Sequence, residues 1–127
     1  MFEKLEITAM AQAMASHAGA RLGAISQNMA NADTPGYKAR DVADFTTVWE
    51  AGNGGAMRST RTGHLGSDAQ TMTAVAISGS GASAPNGNSV SLEGEMVKAV
   101  EVRQQHDMAL AIYRNTSDII RASLGRR

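Results

Sequence analysis

The stretch SQNMANADTPGYKARD, residues 26–41, decides how this chain is read, because a helical pattern stops inside it. Pro35-Gly36 fits the two central positions of a type II turn, where glycine takes the positive φ. Thr34 precedes proline and is pushed to an extended conformation, so a helix arriving from the N-terminal side has to end before it. Asn28 and Asn31 lie three apart on one face of that helix's last turns. Their amides can bond backbone groups that the turn leaves unpaired, and so can Asp33. Tyr37, Phe45 and Trp49 follow, in a chain where only 4% of residues are aromatic. An ordinary helix-ending turn explains the proline and glycine. It does not explain the density of amides and aromatics.

Upstream, residues 2–32 read as one long helix. Ile7, Met10, Met14, Ala18, Leu22, Ile25 and Met29 recur at steps of three and four, the spacing of one helical face. Ala9, Ala13, Ser16, Ala20 and Ala24 form a neighbouring small-residue face that lets another backbone come close. Gly19 and Gly23 each cost roughly 1 kcal/mol relative to alanine in a helix interior, so packing has to compensate.

Downstream, residues 91–124 read as a second long helix. Ser91 is its expected N-cap, Glu93 and Glu95 place negative charge in the first turn, and Arg121 with a Gly125 C-cap closes it. Leu92, Met96, Ala99, Arg103, His106, Leu110, Tyr113, Ser117, Ile120 and Leu124 make an expected seam with polar interruptions. Val97, Val100, Met108, Ala111 and Ile119 make a second apolar stripe beside it. Two stripes are more than one partner helix covers. A wide core-facing helix in a bundle and partner chains are both compatible with that pattern.

The expected organisation is therefore all-α and a single structural domain: N-terminal helix 1–32, turn segment 33–49, Gly/Ser-rich insert 50–90 and C-terminal helix 91–127. The insert's composition cannot bury enough apolar surface to offset its ordering entropy, and it reads as partly disordered. Alternation over residues 71–77 is compatible with a short strand or hairpin.

Composition narrows the function. The 127 residues carry no formal net charge, so no whole-molecule field draws the chain to nucleic acid or an anionic membrane. There is no cysteine, which removes disulfides, thiolate zinc sites and thiol nucleophiles. The N-terminus lacks the long apolar run of a cleavable signal, and no segment approaches the roughly 18–20 apolar residues of a membrane span. His17, His64 and His106 are not spaced as helical metal ligands, and the serines lie outside any nucleophile elbow. No catalytic, cofactor-binding or metal residue is expected, nor a small-molecule substrate. Lys38 and Arg40 sit beside Asp33, Asp41 and Asp44, which does not make a basic patch.

ANADTPGYKARD, preceded by Ser26-Gln27-Asn28 and followed by Asp44-Phe45, resembles the N-terminal signature of the bacterial flagellar basal-body rod protein family, its proximal-rod members most of all. Leu92-Glu93-Gly94-Glu95-Met96 and the weaker Thr62-Gly63-His64-Leu65 are similar to it as well. The resemblance implies a structural subunit without an active site, whose terminal helices pair as an antiparallel coiled coil and whose copies stack helically into the periplasmic drive shaft. It implies export through the flagellar type III apparatus without a cleavable signal peptide. The partners it implies are copies of this chain, other rod proteins and export-gate components, including the hook-basal-body adaptor protein FliE. It also implies a short export-gate element, a phenylalanine followed four positions on by a hydrophobic residue. Phe45 and Trp49 have that spacing, in a segment expected to be extended before assembly. Asn28, Asn31, Asp33, Thr34, Pro35, Gly36 and Tyr37 are the expected assembly motif.

Two other classes compete with this reading. A periplasmic wall hydrolase would need a catalytic carboxylate in a folded cleft, and the irregular segment offers only Glu50 and Asp68. A two-helix adaptor unrelated to flagella would form no filaments or ring-like stacks.

Overall fold

A computed structural model of the chain describes residues 2–53 and 83–125. Within them are three helices, α1 (Phe2–Ala30), α2 (Phe45–Asn53) and α3 (Leu92–Ser123), and no strand beyond an isolated bridge residue at Asp41. The hairpin expected over residues 71–77 and His64 lie outside the described residues.

The fold is mostly helical, with α1 and α3 packed along each other. Their direction is antiparallel. Asn28 meets Glu95 at one end, Leu22 lies by Ala99 and Arg103, and Ala11 and Ala15 lie by Leu110 and Tyr113 toward the other.

Local chemistry ends each long helix. The chain leaves α1 through tightening bonds from the Asn31 amide to Gln27 O and Asn28 O, both 3.1 Å. Thr34 N–H then donates to Asn31 O at 3.0 Å, and Pro35 forbids a further turn. At α3, Ser91 is extended (φ −103°, ψ 112°) and its hydroxyl accepts from Gly94 N–H, as an N-cap does. Gly125 takes φ 70° just past the helix end, where its N–H donates to Ala122 O.

The buried faces are narrow. Ala11, Ala18, Ile25 on α1 and Val102, Ala109 on α3 are buried, and the apolar cluster centres on Ala18, Ile25 and Val102 with Leu22, Met29 and Ala99 around it. Alanine at most of these positions lets the helices approach closely but removes little apolar surface per residue. Of the α1 stripe read from spacing, Ile7 and Met10 are exposed. The helix pair therefore has a thin core.

The third helix was not anticipated. Residues 45–49, expected to be extended in the unassembled chain, begin α2 instead. Val48 N–H donates to Asp44 O at 3.1 Å, and Phe45, Val48 and Trp49 follow three-four spacing on one helical face.

Candidate functional site

Asn28 is the centre of a joint that ties α1, the loop after it and α3. It is 1% exposed. Its Nδ2 donates to Arg40 O at 2.7 Å and to Glu95 Oε2 at 3.0 Å. Its Oδ1 accepts from Arg40 N–H at 2.9 Å and, more loosely, from the Tyr37 hydroxyl at 3.4 Å. Carboxylate and carbonyl only accept and Arg40 N–H only donates, so the partners dictate which way the amide points. All four of its hydrogen-bonding positions are used. Glu95 is buried at 3% exposure, and its second oxygen accepts from Lys98 Nζ at 2.9 Å.

The loop itself turns as its sequence requires. Tyr37 N–H donates to Thr34 O at 3.3 Å and Gly36 stands at φ 73°, the marks of a type II turn around Pro35-Gly36. Asn31 Nδ2 folds back on Gln27 O and its Oδ1 accepts from the Thr34 hydroxyl. Asp33 and Pro35 are exposed.

A second turn, residues 84–88, docks on the first. Gly87 N–H donates to Ala84 O at 2.8 Å, and Asn86 O accepts from Gly36 N–H at 3.0 Å. Gly87 has φ 80°, the left-handed region that favours glycine, and a Cβ there would make ordinary contact with the Gly36 backbone at 3.5 Å. Ser89 N–H bonds Tyr37 O, the Ser89 hydroxyl accepts from Ala39 N–H, and Lys38 Nζ reaches Gly87 O. Asn88, 2% exposed, shares its two amide hydrogens among Asn31 O, Ala32 O and Thr34 O at 2.7–3.0 Å. It thereby supplies donors to carbonyls that the end of α1 leaves open.

A third set of contacts holds the chain between loop and α2 against α1. Arg21 grips Asp41 through Nε (3.0 Å) and Nη2 (3.3 Å), and Val42 is buried. The Asp41 hydrogen bond raises the Arg21 pKa despite the opposing effect of burial, with the charges of Asp41, Asp44 and Glu101 adding to the rise. His17 is buried and its Nε2 lies 2.7 Å from Ala43 O, which requires the proton on Nε2. Phe45 meets the His17 ring edge-on at 5.6 Å, and Trp49 stacks on Phe45 at 5.7 Å.

The expected α3 seam sits differently from the contact face. Glu95, Val102, Ala109 and Thr116, seven apart, are the buried residues of α3. Leu110 and Ile120 are half-buried, whereas Leu92, Met96, Tyr113 and Leu124 are exposed. The buried line thus runs about 100°, one residue, away from the Leu92, Met96, Leu110 edge of the seam. His106 is half-buried with Nδ1 3.7 Å from Asp107, beyond hydrogen-bond length.

Sequence reasoning placed Asn28, Gly36 and Tyr37 in one motif. It missed Glu95, Asn88, His17 and the pair of Arg21 and Asp41. For Asn88 a signal existed: Pro85-Asn86-Gly87-Asn88 repeats the proline, glycine and amide mixture that singled out residues 28–37. Among the described residues no group of histidines and carboxylates is placed to hold a metal ion, and no helix is long and apolar enough to cross a membrane. What the arrangement can do is mechanical: it fixes two helix ends and two loops in one geometry with every buried polar side-chain atom among the described residues bonded.

No protein-family model matches the chain. Over 118 residues the chain is 26% identical to the flagellar basal body rod protein FlgB of Agrobacterium fabrum (strain C58 / ATCC 33970), a match spanning 89% of this chain and 88% of that protein. That similarity, running through both long helices and the joint, supports a structural role of the flagellar rod kind.

Proposed function

We propose that this chain is a structural subunit of the proximal flagellar rod, assembling through its two long helices with copies of itself and with other rod proteins. One observation carries the reading beyond the similarity to FlgB. α3 leaves Leu92, Met96, Val97, Val100, Met108 and Ile119 between 46% and 69% exposed, on surface that α1 does not cover. A single helix pair with so thin a core is completed by neighbours that cover those faces. The joint then serves to hold α1 and α3 in one register, so that each copy presents the same surface.

In this reading the subunit reaches the periplasm through the type III export apparatus. Phe45 and Trp49 are the candidate gate-docking residues, with FliE among the neighbours at the rod base. Because Phe45 packs on His17 in the folded chain, docking uses the segment before that packing forms.

Negative-stain microscopy of the concentrated protein tests the proposal. Filaments or ring-like stacks are expected. A protein that stays monomeric at every concentration, and does not restore swimming when supplied to a strain lacking its own proximal rod protein, refutes it.

A further inference from the structure

Pro85-Asn86 forms the tip of the second turn, and Gly87 closes it. An asparagine followed by glycine is chemically exposed to attack by the glycine nitrogen on the asparagine side-chain carbonyl, because glycine has no Cβ to hinder the approach. Asn86 is solvent-exposed, so water reaches it. Yet in the fold the groups this reaction uses are engaged. Gly87 N–H, the nucleophile's precursor, donates to Ala84 O at 2.8 Å. Asn86 Oδ1 accepts from Asn88 N–H at 3.0 Å, and Asn86 O accepts from Gly36 N–H at 3.0 Å. Lys38 Nζ holds Gly87 O at 3.0 Å, and the Gly36 backbone stands against Gly87. The dipeptide is restrained on both sides by the loop that follows α1.

We propose that Asn86 is a site of spontaneous deamidation, closed while the joint is formed and open when the chain is unfolded, and that the modified chain cannot rebuild the joint. In the step, Gly87 N gives its proton to solvent base and bonds to Asn86 Cγ. The Cγ–Nδ2 bond breaks, and ammonia leaves after taking up a proton from solvent. The five-membered imide is then opened by water. Cleavage between Gly87 N and Cγ leaves aspartate at position 86. Cleavage between Gly87 N and the main-chain carbonyl carbon leaves isoaspartate, with the main chain running through the side-chain carbon. The net change is one water consumed and one ammonia released, with no oxidant or reductant.

The consequence follows from the contacts. Isoaspartate adds one carbon to the main chain between residues 86 and 87. The carbonyl that receives Gly36 N–H and the glycine that fits against Gly36 then cannot both keep their places. Asn88, two residues on, is drawn off the carbonyls that end α1. The joint opens at a point neither long helix can repair.

Purified full-length protein is held at mildly alkaline pH in two states: in buffer where circular dichroism shows the helices formed, and in urea at the same pH. Peptide mass spectrometry follows amide-to-acid conversion at Asn86, with Asn53-Gly54 as a reference in the same chain. If the ring closes only from the opened joint, the buffer rate is reduced by the fraction of time the joint is open, at least about tenfold below the urea rate. Asn28→Ala, which cuts the joint without touching residues 84–88, is expected to bring the buffer rate toward the urea rate. Asn86→Gln is expected to stay unmodified in both states. Equal rates at Asn86 in folded and unfolded protein overturn the protection. An absence of conversion at Asn86 in urea while Asn53 converts overturns the site. Isoaspartate-containing protein that refolds to the same thermal midpoint overturns the consequence. None of these outcomes depends on the rod reading.

Discussion

Asn28 and Glu95 are 67 positions apart in the chain, and the Asn28 amide donates to the buried Glu95 carboxylate at 3.0 Å. A buried carboxylate is tolerated only where donors surround it, and here one comes from α1 and one from Lys98 on its own helix. The bond fixes the axial register of the two helices, since a shift of one turn would cost the buried Glu95 carboxylate its donor from α1.

Asn28→Ala is expected to lower stability by about 2 kcal/mol or more, because Arg40 O and Glu95 Oε2 lose a donor while buried or partly buried. Glu95→Gln keeps an acceptor for Asn28 and is expected to cost less than about 1 kcal/mol. Urea melts followed by circular dichroism compare the two. Equal losses would mean that the charge of Glu95, and its pairing with Lys98, matters as much as the Asn28 donor.

Gly36 is held at φ 73° with open space where a Cβ would go, so a substitution there strains the backbone without a clash. Gly36→Ala is expected to cost about 1–2 kcal/mol, Gly36→Asn less, and Gly36→Val the most. Gly36→Val should also impair swimming more than any single change in the Gly/Ser-rich insert. Normal swimming with that variant would show that the turn's geometry is dispensable.

The exposed stripe of α3 separates folding from assembly. Val100→Glu and Met108→Glu replace side chains 69% and 50% exposed, so their effect on the monomer's melting is expected to stay within about 0.5 kcal/mol. Concentrated protein carrying either change should no longer form filaments or stacks. Unchanged assembly would place the contact face elsewhere.

Phe45→Ala removes an aromatic contact worth about 0.5–1.5 kcal/mol and leaves Trp49 without its stacking partner. If the side chain docks on the export gate, the variant accumulates in the cytoplasm, intact and unsecreted. Secretion measured in a strain blocked at rod assembly decides the matter, and normal export there refutes docking.

Arg21 gives a pH prediction of known sign. Its folded pKa is raised, so the stabilisation is fully present below the unfolded value and is lost only as pH climbs through the folded one, in strongly alkaline solution. Arg21→Gln is therefore expected to destabilise by the same amount at pH 7 and pH 9. A loss that shrank between those values would mean that another group carries the titration.

Local rules in the sequence determined where the helices stop. Thr34 before Pro35, Ser91 ahead of Glu93, and glycines at 36 and 125 act through the backbone of their own neighbours, so a linear reading finds them. The three-four stripe of α1 was legible for the same reason at Ala18, Leu22, Ile25 and Met29. Tertiary structure alone decided which face of α3 meets α1. Apolar residues occupy most of that helix's circumference, so periodicity offers several seams of similar quality, and the choice falls to the close approach that Ala18 and Ala109 permit and to the buried bond between Asn28 and Glu95. It also decided that Asn88 caps α1 and that Arg21 holds Asp41. Those partners lie 56 and 20 positions apart, and nothing local distinguishes a paired polar residue from a solvated one until the fold brings its partner within reach.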